Sequence, residues 1–159
     1  MFERAGLMTN PLSDQAVFTY FNEIGIISQL SAGLFEQGLP EGMTLSQFSV
    51  LNWFVRVDVE ATPGRLARAF QVTGGAMTNT LKKLESKGLV KVEPDKNSGR
   101  RKRVTMTRKG NQVRDKAIKA VAPLLREFAE HFPAKKLKRQ TRQLAEVREY
   151  LDERRYKQS

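Results

Sequence analysis

The sequence predicts a mostly α-helical chain with one small β-hairpin, and three observations carry that reading. Apolar residues recur at helical spacing along most of the 159 residues. Capping residues and breakers cut that pattern into six segments. The stretch between Leu89 and Met106 reads instead as two short strands around a turn.

The first segment opens at Pro11, Ser13 and Asp14 and carries Val17, Phe18, Phe21, Ile24, Ile27, Leu30 and Leu34. Gly38-Leu39-Pro40 ends it. A stripe that broad suits a protein core or a helix shared between two subunits, and spacing does not separate the two. Thr44-Leu45-Ser46-Gln47 opens the second helix as a capping box, with Met43 and Phe48 placed as a hydrophobic staple. Phe48, Leu51, Phe54 and Val55 form its expected buried face, with Trp53 beside it. Thr62 caps the third helix, whose first position is Pro63, where a missing N–H costs nothing. It continues through Leu66 and Ala67 to about Phe70.

Thr73 caps a fourth helix with Met77, Leu81 and Leu84 facing inward, and Lys87-Gly88 closes it. Residues 89–93 and 101–106 are the expected strands, and residues 94–99 hold turn chemistry. The hairpin is therefore expected to carry a basic tip. Thr107 caps a long fifth helix with Val113, Ala117, Val121, Leu124 and Phe128 on one face, and Pro123 inside it is expected to kink it. Phe132-Pro133 breaks the chain before a sixth helix, where Leu137, Leu144 and Leu151 fall seven apart with Val147 between. That seam suits another helix. The expected organisation is an N-terminal helix over 1–40, a winged helix-turn-helix lobe over 41–106 and C-terminal helices over 107–159, the first and last of these serving dimerisation where their apolar faces are shared with a second subunit.

Composition narrows the chemistry. There are 28 Lys+Arg against 17 Asp+Glu, a net charge of +11, so the surface prefers a polyanion. No apolar run reaches the roughly 20 residues of a membrane span, and the N-terminus lacks a signal-peptide core, so a cytoplasmic protein with no membrane partner is expected. The chain has no cysteine, which removes disulfides, thiolate metal sites and thiol redox sensing. Its one histidine, His131, lies near a helix end and reads as a surface or hinge residue. With no phosphate-binding glycine loop and no carboxylate cluster, no enzymatic activity, metal or cofactor is expected.

Two short helices joined by a tight turn, followed by a hairpin, make a winged helix-turn-helix. The second helix of such a pair fits the major groove of DNA. With Met77, Leu81 and Leu84 inward, Gly74, Gly75, Ala76, Thr78, Asn79 and Lys82 face out, behind Thr73 at the cap. Asn79 can bond adenine bidentately, and Thr78 can meet a thymine methyl. Gly74 and Gly75 permit close approach to a phosphate. Arg100, Arg101, Lys102 and Arg103 give the wing a run of cations suited to phosphates and the minor groove. Strand alternation turns one or two of them away. The expected function is sequence-specific binding of double-stranded DNA; the rival is a winged helix that contacts RNA or a protein partner.

The stretch from Thr44 to Gly110 resembles the MarR family of bacterial regulators. The matching pieces are Gln47-Phe48 with Val50-Leu51, Leu66-Ala67 with Val72-Thr73, and Thr78, Leu81, Leu84-Glu85 and Lys87-Gly88-Leu89-Val90. The wing segment from Arg100 to Thr107, followed by Lys109-Gly110, completes them. The resemblance implies a homodimeric, ligand-responsive repressor on a pseudo-palindromic operator, with the first, fifth and sixth helices at the dimer interface. It also implies a small aromatic or anionic effector bound between that interface and the DNA-binding lobe. Trp53 lies in the part of the chain that would line such a pocket, plain core being the other reading. Family wings often carry an Asp two residues before the Arg; here that position is Ser98, with Asp95 as the available substitute.

Overall fold

A computed structural model describes residues 11–40 and 42–157. The elements are α1 (Pro11–Gly38), α2 (Leu45–Arg56), β1 (Glu60–Ala61), α3 (Pro63–Ala69), α4 (Gly74–Ser86), β2 (Val90–Asp95), β3 (Ser98–Met106), α5 (Arg108–His131) and α6 (Ala134–Lys157). They fall into two compact units, the first ending at Gln37 and the second beginning at Gly38. No helix among the described residues is long and apolar enough to cross a membrane.

The first unit is helix α1. Its stripe lies open in the single chain, with Phe18 81% and Leu30 68% exposed. The second unit contains the buried core. Val50, Leu51, Leu66, Leu84 and Val104 are its largest fully buried side chains, drawn from α2, α3, α4 and β3. Around them the caps work as the sequence predicts. The hydroxyls of Thr44, Thr62, Thr73 and Thr107 accept from the backbone N–H groups of Gln47, Arg65, Ala76 and Gly110. Each satisfies a donor that the first turn leaves orphaned.

Three expectations need correction. Gln47 does not reach back to complete a capping box: its side chain is buried, and its Oε1 accepts from Lys87 Nζ at 3.0 Å. Val55 is exposed, and the inward position beside Phe54 belongs to Trp53. The hairpin has a third strand as neighbour. β1 pairs antiparallel with β3, Glu60 opposite Thr105 and Ala61 opposite Val104, giving the order β1-β3-β2. A two-residue strand lies below the length at which alternation is visible in a sequence.

Both ends of the helix-turn-helix close with the same device. After α4, Gly88 N–H donates to Glu85 O and Leu89 N–H to Leu84 O, with Gly88 at φ +70°. After α3, Gln71 N–H donates to Arg68 O and Val72 N–H to Ala67 O, with Gln71 at φ +56°. Both are Schellman closures, and the second places a side-chain-bearing residue in the left-handed region that glycine enters freely. α5 runs unbroken through Pro123 and ends at Phe132, whose extended backbone starts the turn into α6.

α4, β2 and α5 meet in a close junction. Thr107 Oγ1 donates to Gly88 O at 2.7 Å, and Lys109 Nζ donates to Lys87 O at 2.7 Å. A Cβ on Gly110 would lie on the Leu89 carbonyl oxygen and 2.9 Å from Met106 Cγ. Glycine is required there by space. Gly110→Ala should lower stability by roughly 1–3 kcal/mol, the range for overpacking a filled site. Urea unfolding followed by Trp53 fluorescence measures it, and an unchanged midpoint would show that α5 can retreat without cost.

Candidate nucleic-acid interface

Helix α4 is two-faced. Met77, Leu81 and Leu84 are buried against the core, whereas Gly74, Gly75, Ala76, Thr78, Asn79 and Lys82 are exposed. The outward set read from the sequence therefore forms one accessible face on a helix whose inner side is anchored. Thr73 starts it, its hydroxyl accepting from Ala76 N–H at 3.2 Å. That bond uses an oxygen lone pair and leaves the hydroxyl proton available.

Helix α4 is held at its far end by Lys87. Its Nζ donates to the buried Gln47 Oε1 at 3.0 Å and also to the Gly42 carbonyl oxygen. Lys87 is thus a structural cation that ties the end of α4 to the start of α2. The sequence marked it only as a C-terminal cation, because its partners lie 40 and 45 residues away.

The wing departs from an even hairpin. β2 and β3 pair regularly from Val90 opposite Met106 to Pro94 opposite Lys102, and then the register shifts so that Asp95 faces Ser98. Gly99, Arg100 and Arg101 are the surplus residues on β3, a bulge-like irregularity that redirects side chains. The Arg run accordingly lies along the flank of β3, and the tip is Lys96-Asn97. Asp95 shapes that tip by accepting from Asn97 N–H at 3.0 Å. Arg100, Arg101 and Lys102 are exposed, and none makes a hydrogen bond or ion pair among the described residues. Arg103 turns the other way and pairs with Glu60 on β1 at 3.0 Å.

A family model described as the MarR family matches residues 41–101, which contain α2, α3, α4 and the start of the wing. Over that stretch the chain is similar to the MarR family. Among solved structures, a mutant MarR from E. coli complexed with operator DNA is 26% identical, with a TM-score of 0.75 over 83% of this chain and 95% of that one. The regulator BldR from Sulfolobus solfataricus is 25% identical, with a TM-score of 0.71 over 83% and 96%. The S. aureus MepR–DNA complex, at 21% identity and a TM-score of 0.74 over 83% and 97%, shows the same fold. No curated protein sequence gives a significant match.

Within this winged-helix fold, Trp53 is 9% exposed, edge-on to Phe54 at 5.5 Å and covered by the Arg65 guanidinium at 5.1 Å. Arg65 also pairs with Asp58 at 2.5 Å, and that hydrogen bond holds the Asp58 carboxyl below its usual range. None of the described clefts is lined by Trp53, which sits as a core residue under Arg65. A separate cleft of about 390 Å³ lies between α3 and the wing, lined by Thr62, Pro63, Gly64, Arg68, Arg101 and Lys102.

The Lys87 tie is open to direct measurement. Lys87→Met leaves Gln47 Oε1 buried without its donor and should cost roughly 1–3 kcal/mol. Adding Gln47→Met removes the stranded oxygen, so the double variant should be more stable than the two single losses predict. Strict additivity in a urea-unfolding cycle would mean that the contact contributes nothing.

Proposed function

We propose that the chain is a sequence-specific, double-stranded DNA-binding transcription regulator that acts as a homodimeric, ligand-responsive repressor on a pseudo-palindromic operator. The observation that carries the reading is the exposed face of α4 beside an exposed cationic wing flank, on the fold that E. coli MarR presents in its complex with operator DNA. In this reading α4 enters the major groove. Asn79 and Thr78 meet base edges, Gly74 and Gly75 let the backbone approach a phosphate, and Thr73 and Lys82 hold phosphates. Arg100 and Arg101 contact phosphates or the adjoining minor groove. Arg103, neutralised by Glu60, supports the sheet first and the DNA second.

Dimerisation rests on exposed apolar faces. Phe18, Ile27 and Leu30 on α1, and Leu144 and Leu151 on α6, are open to solvent in the single chain. Burying them between two subunits gains the hydrophobic free energy that the isolated chain forgoes. Ligand response is supported by the cleft at Arg68, Arg101 and Lys102. A small anion seated there would compete with DNA phosphates for two wing cations, so its binding would lower DNA affinity.

A dimeric mass at micromolar concentration is expected in sedimentation equilibrium, and Leu30→Glu should shift it toward monomer. A wild-type monomer would remove the two-fold operator from the proposal.

Asn79→Ala should relax preference at one position in each half-site, by roughly 1–3 kcal/mol for a bidentate contact. Arg100→Ala should weaken binding to most sequences alike and make log K against log salt shallower by roughly 0.9 per lost phosphate contact in each subunit. Competition binding across single-base operator variants at several salt concentrations separates these effects. The assignment of reader and clamp fails if Asn79→Ala leaves the preference profile intact while Arg100→Ala rewrites it.

A further inference from the structure

The proposed DNA face leaves much of the positive charge unused. Residues 134–142 hold Lys135, Lys136, Lys138, Arg139 and Arg142 and no acid. All five are exposed and none is in an ion pair among the described residues. Lys135, Lys138, Arg139 and Arg142 stand at i, i+3, i+4 and i+7, one face of α6, spanning about 10 Å of helix. With Pro133 and Lys136 they line an open cleft of about 770 Å³. The acids of α6, from Glu146 onward, all lie beyond it.

This arrangement opposes the helix that carries it. Like charges at these spacings repel, and cations in the first turns oppose the helix dipole. An anion bound along the stripe reverses both effects.

The stripe is remote from α4. At the other end of α6, Arg155 Nη1 donates to Gln71 Oε1 at 3.2 Å, in the turn that leads into α4. Arg139 lies 16 residues earlier, about 24 Å along the helix axis. The stripe therefore lies outside the recognition face formed by α4 and the wing.

Resting on the DNA-binding reading, we propose that the α6 stripe binds the phosphate backbone of a second DNA duplex, so that the protein bridges two segments. The line of cations follows a linear polyanion, whose phosphates recur along each strand at about 3.4 Å of axis. Single-stranded nucleic acid fits less well, because it needs an aromatic stacking platform. No ring is among the residues that line the cleft, and Phe132, next in sequence to Pro133, is already stacked on Phe128 at 4.6 Å and covered by Lys136 at 5.3 Å.

The test uses the full chain, an immobilised duplex selected from genomic DNA by the protein, and a fluorescent duplex of unrelated sequence in solution. The wild type should capture the fluorescent duplex. The variant Lys135→Gln/Lys138→Gln/Arg139→Gln/Arg142→Gln, altered only at exposed positions, should hold the immobilised duplex within about twofold of wild type. It should lose at least tenfold in capture, and its capture should depend less steeply on salt. Equal capture by the variant, or none by the wild type while the immobilised duplex is held, overturns the bridge and leaves the DNA-binding reading standing. Failure of the wild type to hold any duplex removes both. Capture of single-stranded DNA in preference to duplex would assign the stripe to a different partner and overturn the proposal.

Discussion

The approach of α5 to the start of β2 constrains everything else in the second unit. Gly110 leaves no room between helix and strand backbone, and Thr107 and Lys109 bond to the carbonyls of Gly88 and Lys87. Three elements converge within a few residues: the end of α4, the first strand of the wing and the helix that leads away from the lobe. Because the contacts are to backbone, the arrangement is insensitive to which side chains decorate α4 or the wing. The outward residues are thereby free to serve recognition, while the frame is set by one missing methyl group and two short hydrogen bonds. Asn52 accepts from Arg114 Nε and Nη2 at 3.1 and 2.9 Å, which fixes α5 against α2 one turn further along.

Much of this was legible in the sequence because the signals are local. A threonine three residues before the N–H it accepts, or a glycine just past the last apolar position, is visible within one turn of helix. All four threonine caps and the inward face of α4 follow from such signals. What the sequence hid depends on partners far along the chain. Gln47 fits a capping box until Lys87 draws it inward. Trp53 and Val55 flank Phe54 at about 100° to either side of the helix, and both are apolar, so periodicity could not choose which one widens the buried face. The position of the cations on the wing flank follows from a register shift at Pro94-Asp95, which no spacing rule predicts.

Electrostatics sort the positive charge into distinct jobs. Lys87 and Arg114 are structural, the first spent on uncharged oxygens and the second shared between Asn52 and the Asp115 carboxylate. Arg65 and Arg103 are matched by Asp58, just before the short strand β1, and by Glu60, its first residue. Exposed ion pairs of this kind contribute little stability; their effect is to take two cations out of the surface field. The unmatched remainder on the wing flank and on α6 sets that field, and its range shrinks as salt rises.

The two Schellman closures differ in one residue, and the difference has a mechanical consequence. Gly88 occupies its left-handed position at no steric cost, so α4 ends in a relaxed joint. Gln71 occupies the same conformation with a side chain, at roughly 1–2 kcal/mol. Strain is therefore concentrated in the joint between α3 and α4. Any tilt of α4 that lets Gln71 leave the left-handed region recovers part of that energy. A tilt of α4 about its C-terminal end, which Lys87, Lys109 and Gly110 hold in place, would carry its exposed first turns through the larger arc.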